Sequence, residues 1–347
     1  MSILCIGDIH IRFENLHLID IVEQQIIDHI QTYSIQKVVF LGDVLHFHEK
    51  LYTQPLNRAY QLFKTLSQYA QVIVLVGNHD YINNSQFLTS NHWMNILKNK
   101  QNINIIDTTT QIGEDLFLPY VPPKRFIEAI ETGGFDPTQA RMIFAHQEFK
   151  GCKMGAIVSS EGDEWPEEYP QVVSGHIHDY QKPQSNIFYI GACLQHSFAE
   201  TGYPKLLLID IQSNFTEIPL QLPRKKNVYT SLEELTEEKI ENIIHISNEK
   251  ENECVRLVVR GDYDKFKLFK DTLNFQNLSQ TTKCKIVFKP EVVQENTESN
   301  PSDSQTKNTF SDLLLTKVLE TQKEMVYVVY QKIVYSTEIQ PEDFIIV

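Results

Sequence analysis

The stretch ILCIGDIH (residues 3–10) decides how the rest of the chain is read. A short apolar run ends in a glycine, and an aspartate and a histidine follow one residue apart. The same grammar returns in VVFLGDVLH (38–46), VIVLVGNHD (72–80), MIFAH (142–146) and VVSGHIH (172–178). Apolar runs of this length bounded by small residues read as buried strands, although periodicity alone does not exclude helix. Between the first three runs lie amphipathic segments of helical character at 16–33 and 56–70. Strands alternating with helices predict an α/β fold in layers. Polar groups in such folds gather beyond the carboxyl ends of the strands, so five polar clusters at five strand ends are expected to converge on one edge of the core.

Further strands are expected at FYIGA (188–192) and KLLLIDI (205–211). The Pro-punctuated, basic segment PLQLPRKKN (219–227) reads as a connector, which puts a domain boundary at 222/223. Beyond it, CVRLVVRG (254–261), a helical 262–275 and CKIVFKP (284–290) predict a small β-α-β unit spanning 223–290. Residues 291–309 are polar and carry few large apolar groups, the composition of a flexible linker. After it, 310–347 regains apolar character, with Phe310, Leu313, Leu314 and Val318 at helical spacing and Ser311 placed to cap the start. Such a helix either docks on a partner or folds back on its own domain.

The chain has 347 residues, more than one compact unit usually needs, with 41% hydrophobic and 22% charged residues. No apolar run reaches the ~18 residues that span a bilayer, and no basic segment precedes the first apolar run, so the expected setting is the cytoplasm, or the nucleus or host-cell interior, without secretion. Five scattered cysteines, never spaced CxxC, argue against a disulfide framework or thiolate zinc site and predict buried free thiols. The net charge of −14 argues against a protein that holds nucleic acid by electrostatics alone.

The chemistry resides in the strand-end clusters. Asp8 and His10 alternate along an extended segment and so face one way, able to share an ion. Asp43 follows Gly42, where a carboxylate can bridge two cations. Asn78 offers a neutral oxygen, His79 is free to act on substrate, and His176 and His178 again share one side. Singly, DxH or a lone His146 is weak evidence; together and in this order they specify one dinuclear site. Oxygen and imidazole ligands without thiolate suit manganese, iron or zinc. A pair of ions ~3.5–4 Å apart activates water and clamps the entering and leaving oxygens during attack on phosphorus.

These residues resemble the calcineurin-like metallophosphoesterase superfamily, whose pattern D-x-H, G-D, G-N-H, H, G-H-x-H is present across residues 8–178. The resemblance implies a β-sandwich core flanked by helices, with a small α/β cap and a C-terminal helical segment. It implies one ion on Asp8, His10 and His178, a second on Asn78, His146 and His176, and Asp43 bridging. It makes His79 the general acid or leaving-group stabiliser, with Asp80 orienting it. His46, in GDVLH, is similar to the extra histidine of the SbcD and Mre-eleven nuclease family, where it positions the DNA phosphate. The segment YIGA (189–192) with Gln195, Ser197, Phe198 and Glu200 resembles the stretch after that family's last metal motif. This narrower resemblance, to phage- and virus-type members, implies a manganese-dependent DNA exonuclease/endonuclease in recombination and break repair. It also implies a homodimer within a heterotetramer with an SbcC-type coiled-coil ATPase, and no membrane. Arg12 departs from the pattern, standing where the family usually has glycine. A phosphodiesterase for small molecules such as cyclic nucleotides, and a non-catalytic scaffold, are the competing readings. His17, His29, His48, His92, His196 and His245 lack motif context and are expected to be surface or structural. Arg224-Lys225-Lys226 is expected in a solvated loop, and the acidic Glu161–Glu168 segment with Trp165 in an exposed one.

Overall fold

The computed structural model describes residues 2–290 apart from 156, 199, 201, 250–252 and 282–284; the expected linker (291–309) and docking segment (310–347) lie outside the described residues. In chain order the elements begin β1 (Ile3–Ile6), α1 (Leu16–Tyr33), β2 (Lys37–Phe40), α2 (Thr53–Leu66), β3 (Gln71–Leu75), β4 (Ile103–Ile106), β5 (Thr110–Ile112) and β6 (Asp115–Phe117). They continue with α3 (Phe126–Thr132), β7 (Met142–His146), a short hairpin of β8 (Lys153–Met154) and β9 (Ile157–Val158), β10 (Gln171–Gly175), β11 (Gln181–Gln184), β12 (Ile187–Tyr189), β13 (Lys205–Ile209) and β14 (Phe215–Pro219). The last are β15 (Arg224–Ser231), α4 (Glu237–Glu249), β16 (Glu253–Gly261), α5 (Tyr263–Lys270), α6 (Leu273–Thr281) and β17 (Lys285–Pro290).

Two six-stranded sheets carry the core, ordered β14-β13-β1-β2-β3-β4 and β11-β12-β10-β7-β6-β5. Strands β1 to β4 are mutually parallel, as are β12, β10, β7 and β6, and antiparallel pairing closes every edge of the two sheets except that of β4. Successive side chains of a strand leave opposite faces, and the core divides accordingly. Ile3, Cys5, Val39, Ile73 and Leu75 of the first sheet meet Phe117, Met142, Phe144 and Val173 of the second between the sheets. Leu4, Ile6, Val38, Phe40, Val72 and Val74 face outward, where α1 and α2 cover them with Ile19, Val22, Ile26, Leu62 and Phe63. The second sheet's outer face, Leu116, Ile143, Ala145 and Val172, is covered by Phe126, Ala129 and Ile130 of α3. The result is the helix-flanked β-sandwich that the family resemblance implied. Because β1, β2 and β3 are buried on both faces, they read as continuous apolar runs rather than alternating ones.

A third sheet, β15-β16-β17, is all parallel and has its own apolar cluster, with Leu257 and Val259 packed against Ile240, Ile243, Phe266 and Leu278. It is larger than the expected β-α-β unit. The basic segment expected as a loop is the first half of β15, which pairs in register with β16 from Arg224↔Glu253 onward. The expected helix over 262–275 is two helices, interrupted where Thr272 Oγ1 donates to Phe269 O and accepts from Phe275 N. Side chains of this kind compete with the helical backbone for its own groups. Trp165, expected exposed, is buried, with its ring 5.5 Å from Phe126 and its Nε1–H donated to Pro170 O at 3.0 Å. Cys5, Cys152 and Cys193 are free and buried as expected, whereas Cys254 is exposed. Among the described residues no helix is long and apolar enough to cross a membrane.

Candidate metal centre

The carboxyl ends of β1, β2, β3, β7 and β10 bring Asp8, His10, Asp43, Asn78, His146, His176 and His178 into one cluster. The first four follow strands of the first sheet, and the last three come from the second, so the cluster straddles the top of the sandwich. His176 Nδ1 and His146 Nε2 each lie 3.0 Å from Asn78 Oδ1, and His146 Nε2 lies 3.3 Å from Asp43 Oδ1. On the other side His10 Nε2 lies 3.1 Å from His178 Nε2 and 3.5 Å from Asp43 Oδ2. Asp43 thus faces both groups with different oxygens. Ligand atoms of Asp8, His10 and His178 fall within 4.8 Å of one another, as do those of Asp8, Asp43 and His146.

The backbone is bent to achieve this. His10, Asp43 and His176 have φ of 43°, 52° and 79°, a left-handed region that non-glycine residues seldom occupy and that clusters at functional sites. Gly42, at φ 102°, and Gly77 leave room for the ligands: a Cβ on Gly77 would come within 2.2 Å of both Asp43 N and Asp43 Oδ1.

The protonation pattern suits cations. His146 Nδ1–H donates to Leu41 O at 2.6 Å, which leaves Nε2 as the atom aimed into the cluster, free to bind a cation once it gives up its proton. Burial would lower the His146 pKa, but the buried Asp43 and Asp8 carboxylates outweigh it and lift it to about 9. Burial likewise pushes against ionised Asp43, yet the facing His146, His10 and His79 hold its carboxyl well below the usual range. His176 is pushed down to about 3 by burial and by His146. In the absence of ions, a proton on His146 helps to balance the buried carboxylates. This donor set of buried carboxylate, amide oxygen and imidazole, with more lone pairs than protons, fits divalent cations.

Surrounding groups fix the ligands. Asp8 accepts His176 N–H at 3.0 and 3.1 Å, tying the two sheets together. Glu200 Oε1 lies 3.3 Å from His178 Nδ1, the carboxylate–histidine arrangement that orients a metal-binding ring. His79 Nδ1–H donates to His46 O at 2.7 Å, so Nε2 points toward the cluster, 4.0 Å from Asp43 Oδ2. Asp80, expected to orient His79, does not do so through the ring. Its buried carboxylate accepts from Val44 N, Leu45 N, Gly77 N and Trp93 Nε1, locking the β2 and β3 loops together. Burial and the Asp43 charge push Asp80 up to about 6. His46 sits at the rim, its ring 5.2 Å from that of His10, and Arg12 Nη1 approaches its Nε2 at 3.2 Å.

Two histidines assigned no role from sequence are here. His48 stacks on His79 at 4.4 Å between ring centroids, and His196 places Nε2 2.8 Å from Asp8 O with its ring 4.8 Å from that of His10. The alternation His46-Phe47-His48, the same spacing as Asp8-Ile9-His10, was the available signal for His48. His196 lies within the stretch after the last metal motif, between Gln195 and Ser197. His92 by contrast is structural, its Nε2 3.1 Å from Asp107 Oδ2.

The calcineurin-like phosphoesterase family model matches residues 1–180, the part that supplies every ligand in this cluster. Two viral proteins carrying the name phosphoesterase are similar over most of the chain. Protein 078R of Invertebrate iridescent virus 3 is 39% identical over 287 residues, covering 80% of this chain and 81% of its own length. Protein 244L of Invertebrate iridescent virus 6 is 40% identical over 281 residues, covering 78% of this chain and 97% of its own. With the fold, the strand-end cluster and these matches in agreement, the chain belongs to the calcineurin-like phosphoesterase family and is a metal-dependent phosphoesterase.

Proposed function

We propose that this phosphoesterase is a DNA exonuclease/endonuclease subunit, cutting phosphodiester bonds with two manganese ions in recombination or double-strand-break repair. The observation that carries the reading is the position of His46. Its ring borders the metal cluster 5.2 Å from His10, while its carbonyl holds His79 in place. A histidine set there can meet a phosphate that lies on the ions. Asp8, His10 and His178 would hold one ion, Asn78, His146 and His176 the other, and Asp43 both. Ions so held supply the clamp on phosphate oxygens and the activation of water for in-line attack. His79 presents Nε2 to the departing oxygen and offers it a proton, while His48 packs flat against the ring and limits its movement.

The α/β unit of residues 223–290 acts in this reading as a cap beside the site. Residues 310–347 dock on an SbcC-type coiled-coil ATPase, in an assembly of two nuclease and two ATPase chains. The partner makes the net charge of −14 tolerable, since it shares the work of holding DNA. The test is manganese-dependent degradation of linear duplex DNA, with and without partner and ATP, beside hydrolysis of a small chromogenic phosphodiester. His46→Ala should lose exonuclease activity while retaining both ions. Rapid turnover of the small diester with no cleavage of DNA under any of these conditions would replace this reading with a small-molecule phosphodiesterase.

A further inference from the structure

Cations are few in this acidic chain, yet two converge beside the metal cluster. Arg12, in the loop after β1, donates from Nη2 to His196 O at 3.2 Å. Lys225, in β15, donates from Nζ to the same carbonyl at 2.7 Å. A carbonyl oxygen has two lone pairs, and these two donors take both. A guanidinium carries five N–H groups and an ammonium three, so most of the donor capacity here is unspent. The carboxylate that reaches Arg12 is Glu14, 3.8 Å from Nε and itself 72% exposed, a pair of the weakly stabilising kind. Glu200, the acid near Lys225, is already engaged by His178 Nδ1 and His196 N. Two like charges held against one neutral oxygen repel, and an anion between them would remove that cost.

His46 sharpens the point. A guanidinium can only donate, so the His46 Nε2 facing Arg12 Nη1 must be an acceptor, and the ring is neutral in this arrangement. The positive charge at this rim therefore belongs to Arg12, which His46 positions. Arg12 Nη1 meets the His46 ring, which lies 5.2 Å from that of His10, so Arg12 is one imidazole away from the cluster.

The geometry points to a second phosphate site, built by Arg12 and Lys225 and separate from the metal cluster, that takes the phosphate adjoining the scissile one. It rests on the reading of the cluster as a phosphodiester-cleaving centre, and it makes substrates with two or more linked phosphates the favoured class.

The experiment compares binding of thymidine 3′,5′-bisphosphate with that of thymidine 3′- and 5′-monophosphate, by calorimetry on the metal-loaded full chain. The wild-type protein should bind the bisphosphate about tenfold more tightly than either monophosphate, the scale of one charge-assisted hydrogen bond. Arg12→Gln and Lys225→Gln should each erase most of that ratio, and Arg12→Lys should restore part of it. Metal content and melting temperature are measured alongside. A merely structural role for either residue would weaken all three ligands alike and leave the ratio intact, which overturns the proposal, as does a wild-type protein with no bisphosphate advantage. A protein that keeps the advantage but cuts no DNA would defeat the nuclease reading and leave this site standing.

Discussion

Gly77→Ala isolates the steric demand of the metal centre from every other variable. The backbone at Gly77 is extended, with φ −82° and ψ 174°, so alanine is conformationally at ease there. The added Cβ, however, would sit 2.2 Å from both Asp43 N and Asp43 Oδ1. Ordinary contact begins at 3.4 Å, so Asp43 or the β3 loop must retreat by 3.4 − 2.2 = 1.2 Å. Asp43 is the carboxylate that faces both halves of the cluster, and a misplacement of ~1 Å at a reacting centre costs about 100-fold in rate. Overpacking of this kind also destabilises a fold by ~1–3 kcal/mol. The assay is metal stoichiometry by mass spectrometry together with kcat on a chromogenic phosphodiester. Gly202→Ala serves as the control, because its nearest contact is Asp179 Oδ1 at 4.0 Å. We expect Gly77→Ala to hold fewer than two ions and to lose roughly two orders of magnitude in kcat. Two ions bound and full turnover would refute the assignment of Asp43 to the space between the ions.

Glu200→Gln should weaken metal binding ~10–100-fold by loosening His178, read by titration with manganese. Asp80→Asn replaces a carboxylate that accepts four N–H groups and should lower stability by ~1–3 kcal/mol in chemical denaturation, with the loops beside His79 loosened. In chelator-treated protein His146 sits at about 9, above its unfolded value of ~6.5. Its proton therefore stabilises the ion-free fold fully below pH 6.5 and ceases to do so as pH rises through 9. Metal must displace that proton, so apparent metal affinity should climb about tenfold per pH unit across this window, as measured by competition with a chromogenic chelator. An affinity independent of pH between 6.5 and 9 would show that His146 binds no ion.

Much of this was readable in the residue string for a physical reason. Central parallel strands are buried on both sides, so β1, β2, β3, β7 and β10 announce themselves as unbroken apolar runs, and the ligands follow at their ends. What escaped depends on where loops return. His196 reaches Asp8 only because the chain doubles back after β12, and nothing near it in sequence encodes that path. His48 was hidden for a different reason: its partner, the His79 ring, arrives from another strand. Arg224-Lys225-Lys226 looked like a loop because it is charged, yet charge is what an edge strand uses to resist pairing with other chains. Trp165 lies among glutamates that stay exposed, Glu161, Glu164, Glu167 and Glu168, while its indole turns inward beneath Phe126 and Asp163 is buried with it.

The cluster's position across the seam of the sandwich gives the cations a mechanical part as well. One sheet contributes Asp8, His10, Asp43 and Asn78, and the other His146, His176 and His178, so each bound ion would rivet two slabs that otherwise adhere through an apolar layer and a few polar ties such as Asp8 to His176 N–H. Shearing those slabs by even a fraction of a side chain would pull the rivets from their holes. A cut made deep in that layer, such as Phe144→Ala below the stacked Phe117 ring 4.9 Å away, should therefore be felt at the mouth as faster metal loss. Conversely, saturating manganese should raise the melting temperature of that damaged protein, by mass action on the one state in which the holes align.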